Sequence, residues 1–275
     1  MRKLIFVLMF PISTNAQSPF FISVDASCSN TWLLNKHDRS ADSRLDYVMS
    51  FAPEAGLNLG YRFGGSNLQT AITIGIKYSR ASQRYKGHNS DYIKSGVKDL
   101  EAKTSLAYLK VPLMLHLSFG KDRRLLPYLS VGGYYGRLLN YRDKMEGRSI
   151  YVVNGQDYPI QYLFEGLSYT INTITVGYQS GNLDQTHYSG HVWGTEFAAG
   201  VQSKISESAS FTAGLKASYS LTDIENKENT KSFNPWEYMS PKYYSDDAFN
   251  TKVQTNRPAT HLLGLGLELG FRYSL

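Results

Sequence analysis

His187, Ser189 and Glu196 are the residues of this chain whose types and spacing come nearest to covalent chemistry. A serine needs a neighbouring base to become a nucleophile, and an imidazole oriented by a carboxylate is the usual one. His187-Tyr188-Ser189 places imidazole and hydroxyl two residues apart, with Glu196 downstream. Acyl transfer to the serine is the reaction such a set would perform. Glu196 weighs against it, because it lies close in sequence and on a strand face shared with other polar residues. The remaining histidines, His37, His88, His116, His191 and His261, are scattered with no ligand spacing. His187 and His191 are four apart, which unites ligands on a helix and not on a strand. The glycines follow strand alternation and form no phosphate-cradling loop. No catalytic, cofactor-binding or metal-binding residue is therefore assigned, and no cofactor is expected. Cys28 is the sole cysteine, so no disulfide forms within the chain, and a small half-buried role is expected for it.

The elements that would position these residues are strands. Leu262 to Leu275 reads LLGLGLELGFRYSL. Leu263, Leu265, Leu267, Leu269, Phe271, Tyr273 and Leu275 share one face. Leu262, Gly264, Gly266, Glu268, Gly270, Arg272 and Ser274 share the other. Strict period-2 alternation belongs to a strand. Seven further segments alternate similarly: 20–27, 54–63, 68–79, 107–119, 126–139 (less cleanly), 192–204 and 209–221. At about 8 to 14 residues they suit tilted membrane strands, which need roughly 9 to 11, better than soluble ones, with a mode of about 5 to 6.

Short and long connections alternate without exception. Residues 64–67, 120–125 and 205–208 are short; 28–53, 80–106, 140–191 and 222–261 are long. Outer-membrane barrels segregate their turns and loops in this way, and eight strands put both termini on the short-turn side. The third long connection contains Ser149 to Val153 and Tyr158 to Phe164 around Asn154-Gly155-Gln156-Asp157, a hairpin signal, followed by an extended 168–179. Counting these gives ten strands. A hairpin projecting above the membrane is preferred, because neither piece has a sustained apolar face. Aromatics cluster near both strand ends: Tyr61, Phe63, Phe119, Phe271 and Tyr273 at the short turns, and Tyr78, Tyr135, Trp193 and Tyr219 at the long loops. They approximate two interfacial girdles.

The N-terminus reads as a secretory signal over 1–16. Arg2 and Lys3 form the basic region, Leu4 to Ile12 the apolar one, and Thr14-Asn15-Ala16 the cleavage site before Gln17. The formal charge is +6, of which Arg2 and Lys3 supply two. That balance and the lack of a clustered basic face argue against nucleic acid. No apolar run reaches the roughly 18 to 20 residues of a membrane helix.

Alternation places Asp25, Glu54, Glu196 and Glu268 on the lumen face, with Arg62, Lys77, Lys110, Lys216 and Arg272. Side chains just fill an eight-stranded bore, and buried charges need partners. A salt-bridge network closing the bore is expected, in preference to an ion path. In the last long connection, Trp236, Tyr238, Tyr243, Tyr244 and Phe249 lie beside Asp246 and Asp247. Such loop aromatics suit adhesion or docking, or pack on one another.

Two resemblances add to this. Tyr108-Leu109-Lys110-Val111-Pro112-Leu113 resembles the Y-L-x-[IV]-P-L strand of the Bacteroidetes outer-membrane β-barrel domain family (PorT-like). Pro127-Tyr128-Leu129-Ser130-Val131-Gly132 resembles its following P-Y-x-x-x-G strand. Asn15-Ala16-Gln17 is similar to signal cleavage sites of that phylum. The name-giving member belongs to a secretion apparatus, which implies a secretion-accessory role among others. The His-x-Ser pair resembles that of outer-membrane lipid A deacylases, which continue with Asn where this chain has Gly190.

The expectation is one all-β domain over 17–275: an eight-stranded antiparallel transmembrane β-barrel with long extracellular loops, in the outer membrane of a Gram-negative bacterium, with both mature termini periplasmic. The expected partners are outer-membrane lipid, the barrel-assembly machinery during insertion, and an envelope protein. The expected role is structural, receptor or adhesion, or envelope-complex, and not enzymatic. A lipid hydrolase and a small pore are the alternatives.

Overall fold

The computed structural model describes residues 18–34, 45–63, 68–87, 97–120, 124–153, 156–165, 168–171, 174–177, 188–226 and 259–275. They form twelve strands and no helix: β1 (Phe20–Leu34), β2 (Leu45–Val48), β3 (Phe51–Phe63), β4 (Leu68–Gly87), β5 (Val97–Phe119), β6 (Leu125–Val153), β7 (Gln156–Glu165), β8 (Ser168–Ile171), β9 (Ile174–Gly177), β10 (His191–Lys204), β11 (Ala209–Ser220) and β12 (His261–Ser274). The segment expected to be a signal peptide lies outside the described residues.

Eight strands close the barrel. The order runs β10-β11-β12-β1-β3-β4-β5-β6, every described pairing is antiparallel, and β6 pairs back onto β10. Closure leaves no edge within the lipid zone, so each backbone amide there has a neighbour to bond. The count of eight follows from which strand lies beside β6. The first part of β6, Leu125 to Arg137, pairs with β10. Its last part, Lys144 to Val153, pairs with β7. The hairpin therefore lies beyond the barrel and does not add staves to it. Continued pairing through β8 and β9 extends the same projecting sheet.

Alternation survives intact across the barrel. The outward positions of β4, Ile72, Ile74 and Ile76, are exposed, while the intervening Thr73 and Lys77 are buried. Leu113, Leu215 and Leu267 are 57%, 67% and 64% exposed. Aliphatic side chains this open on every stave form a continuous band that water would not tolerate and lipid solvates. Tyr61 and Phe63 stack at one rim, with centroids 6.3 Å apart, and Tyr135 and Trp193 pack at the other at 5.0 Å. Leu275 N donates to Phe20 O at 3.0 Å, so both ends of the described barrel meet at the short-turn rim. Gly120 ends β5 with a φ of 115°, which lets the chain reverse toward β6.

Three sequence expectations need correction. The 80–106 connection is largely ladder: pairing of β4 with β5 continues from Arg80–Ala107 to Gly87–Leu100. The 28–53 connection likewise begins later, because β1 pairs with β12 as far as Leu34–His261. Alternation fades where lipid no longer enforces it, while the hydrogen-bonded ladder continues. Finally, Cys28 is exposed on the outward face and not half-buried inside.

Candidate functional site

The bore is the one interior that the fold builds from all eight staves, and it is filled in three layers. The middle layer is ionic. Alternation turns Asp25 of β1, Glu54 of β3, Lys77 of β4, Lys110 of β5, Glu196 of β10, Lys216 of β11 and Glu268 of β12 inward. Lys110 Nζ lies 2.9 Å from Glu54 Oε2 and 3.3 Å from Glu196 Oε1. Lys216 Nζ contacts Glu54, lies 3.1 Å from Glu196 Oε2 and 3.7 Å from Glu268 Oε2. Lys77 Nζ is 3.6 Å from Asp25 and 4.0 Å from both Glu54 and Glu268. Glu54 thus touches all three lysines. Each lysine has at least two carboxylates, which satisfies charges that would be prohibitive alone.

The layer toward the long connections is built around an apolar cluster, with Thr31, Ser82, Gln83 and Thr104 buried beside it. Leu33, Ala81, Leu106, Tyr108, Tyr134, Leu138, Tyr188, Val192, Ile224 and Leu262 form one buried cluster. Two chain segments fold over it. Ser189 N donates to Ile224 O at 2.7 Å, and Ile224 N donates to Thr260 O at 3.0 Å. Tyr188 enters the bore, its hydroxyl 3.3 Å from Thr104 Oγ1. Lys110 Nζ sits 4.5 Å from the centroid of the Tyr134 ring, joining this plug to the ionic layer. Two inward glycines make room for large rings. A Cβ on Gly194 would strike the Tyr134 ring, and one on Gly60 would strike Phe21. In each case the ring comes from the residue directly opposite on the neighbouring strand.

The layer toward the short turns is polar and cationic. The Arg272 guanidinium lies 4.2 Å and that of Arg62 5.7 Å from the Phe21 ring centroid. Arg62 Nη2 donates to Ser274 Oγ at 3.4 Å. Thr73 Oγ1 and His116 Nε2 share a hydrogen bond of 2.8 Å. Gln202 links Ser118, at 3.2 Å, to Ser210, at 3.1 Å.

All nine charges that alternation placed inside are therefore on the lumen wall. Seven gather in one cluster, while Arg62 and Arg272 pack separately on Phe21. The apolar plug was missed. Its signal is doubled apolar residues at the strand ends, Leu33-Leu34, Leu138-Leu139, Val192-Trp193 and Leu262-Leu263, where both faces need apolar side chains.

Of the residues weighed for a nucleophilic set, Glu196 has its carboxylate held by Lys110 and Lys216. Ser189 Oγ instead donates to His191 O at 2.8 Å. The Tyr135 hydroxyl and His191 Nδ1 lie 2.5 Å apart, and His261 Nδ1 donates to Ser220 O at 2.9 Å. No group of three or more His, Cys, Asp or Glu residues suited to a metal occurs among the described residues. His37, His88, His187 and the aromatic cluster from Trp236 to Phe249 lie outside them.

Comparison with solved structures returns barrels of low identity. This chain is 12% identical to Neisserial surface protein A, covering 95% of this chain and 100% of that one, with a TM-score of 0.39. It is 10% identical to the outer membrane protein OprG from Pseudomonas aeruginosa, covering 94% and 97%, with a TM-score of 0.36. It is 8% identical to the outer membrane protease OmpT from Escherichia coli, covering 96% and 99%, with a TM-score of 0.37. These likenesses carry no argument about activity. A sequence comparison with curated proteins returns no match. Residues 15–226 match the outer membrane protein beta-barrel domain family, a span reaching past β11, and β12 then completes the closure seen here. This chain belongs to the outer membrane protein beta-barrel domain family.

Proposed function

We propose that this barrel works through the surface it presents beyond the membrane, as a receptor, adhesion or envelope-complex component, and neither catalyses nor conducts. The observation that carries this reading is the filled bore. An apolar cluster and an ion-paired cluster lie in series in the described lumen, which favours a closed bore over a conducting one. Material is instead invested outside the barrel. β6 alone has 29 residues, about 95 Å of chain at about 3.3 Å per residue. In this reading residues 1–16 are removed on export, the short turns and both mature termini face the periplasm, and the long connections face outward. The barrel-assembly machinery inserts the chain, and an envelope protein is its partner. The PorT-like resemblance of the β5 and β6 motifs makes a secretion-accessory complex one form of that role.

Planar-bilayer recording of the refolded protein tests the closed bore, and steady single-channel conductance would defeat it. Cross-linking and co-purification from intact envelopes should recover a protein partner. A variant with 144–177 replaced by a short turn should lose that partner while keeping heat-modifiable migration. The hydrolase alternative is addressed by replacing Ser189 and His187 with Ala and comparing lipid A acyl content, which should not change.

A further inference from the structure

We propose that the short-turn half of the bore binds one small oxyanion, a free carboxylate or phosphate ion, on the guanidinium groups of Arg272 and Arg62. The inference does not depend on which side of the membrane the long connections face.

Arg272 differs from the buried lysines of the lumen. Lys77, Lys110 and Lys216 each lie within 4.0 Å of at least two carboxylates. Arg272 is nearly as enclosed, at 9% exposure, yet belongs to no ion pair among the described residues. The carboxylate that acts on it is Asp25, which is already held by Lys77 at 3.6 Å and by Asn58. Arg272 Nε is shut off from solvent and has no hydrogen-bond acceptor among the described residues. A guanidinium in this state is costly, because nothing of opposite charge offsets its desolvation. Tyr128, opposite Ser118 of the same layer, adds a hydroxyl that is likewise buried with no partner among the described residues. Both groups donate hydrogen bonds, so the missing complement is an acceptor.

The packing supplies a place for that acceptor. The Arg272 guanidinium lies 4.2 Å from the Phe21 ring centroid. An aromatic face attracts the charge but fills none of the directional N–H positions of the fork. Arg62 approaches the same ring at 5.7 Å, and its Nη2 donates to Ser274 Oγ at 3.4 Å. Ser274 is the last residue of β12, so Arg62 stands on the mouth side of Arg272. Two cations gathered on one ring repel each other. An anion beside them removes that repulsion, and the paired oxygens of a carboxylate or phosphate match a guanidinium fork. The charge count agrees. The ion cluster holds three lysines and four carboxylates, and the two arginines lie outside it. The lumen wall therefore carries one formal positive charge in excess, which a single monoanion neutralises.

The test is isothermal titration calorimetry on the refolded full barrel, in excess sodium chloride at constant ionic strength. Sodium phosphate and sodium acetate are separate titrants, and the one that saturates names the ion. One site per barrel is expected, and a site seen against chloride already prefers an oxyanion to a halide. Arg272→Gln should weaken binding at least tenfold, roughly the scale of one hydrogen bond to a charged group. Arg272→Lys should weaken it nearly as much, because an ammonium keeps the charge and loses the fork. Arg62→Gln should weaken it less. Arg124→Gln with Lys204→Gln, exposed cations at the same rim, should leave it unchanged. Heat-modifiable migration checks that each variant is folded. If Arg272→Gln does not fold, Arg272→Lys, which retains the buried charge, carries the test. Saturation by neither titrant would overturn the proposal. Undiminished binding by Arg272→Lys would also overturn it, as would an equal loss in the rim variant, since either reduces the site to general attraction by positive charge.

Discussion

Leu215 and Lys216 are neighbours on β11 and live in opposite environments. Leu215 faces lipid opposite Leu267, in a row of exposed aliphatics. Lys216 faces the bore, held by Glu54, Glu196 and Glu268. The outer face asks only that a side chain be apolar, because lipid tails conform to any shape. The inner face asks for identity, because the clustered lumen charges have specified partners and a fixed volume.

That contrast can be broken at four points. The largest effect is expected for Glu54→Ala. It removes the carboxylate that all three lysines share, leaving Lys110 with Glu196 alone, and should cost about 3 to 5 kcal/mol, measured by urea unfolding from a bilayer. Pairing it with Lys110→Met should recover part of that loss. If the double variant is no more stable than the single one, the cluster is not organised around Glu54. Next is Leu267→Arg on the outer face, which places a charge near mid-depth and should cost about 2 to 4 kcal/mol in the same assay. Smaller again is Gly194→Val, which drives a side chain into the Tyr134 ring and should cost about 1 to 3 kcal/mol. Loss of heat-modifiable migration at a lower temperature would show it. The smallest effect is expected for Leu215→Ile, below about 1.5 kcal/mol. A larger penalty there would mean that a protein surface, and not lipid, covers this stave.

The parts of the fold legible in sequence are those where one environment acts on every second residue. Within the lipid band the partition is unforgiving, so Leu57, Leu59, Ile74, Ile76 and the whole of β12 announce their faces. Above the band it relaxes. The ladders from Arg80 to Gly87 and from Val97 to Leu106 carry no sustained alternation, although their hydrogen bonds continue. The plug was obscure for a different reason. Leu106, Val192 and Ile224 are apolar residues on an inward face or in a connection, and nothing local says that Tyr188 and Ile224, far apart in sequence, close over the same cavity. Of the candidate residues, the lumen charges could be assigned to a face one strand at a time. Their grouping could not, because Glu54 reaches Lys216 only through closure of the sheet.

The sequence by itself determined the strand faces, the eight barrel segments and the separation of short turns from long connections, since these follow from a period of two in a partitioning solvent. Tertiary structure decided which strand lies beside β6, hence eight staves with a projecting hairpin and not ten. It also decided which charges meet and what closes the bore. Those outcomes depend on contacts between distant segments, and only ring closure brings the segments within reach of one another.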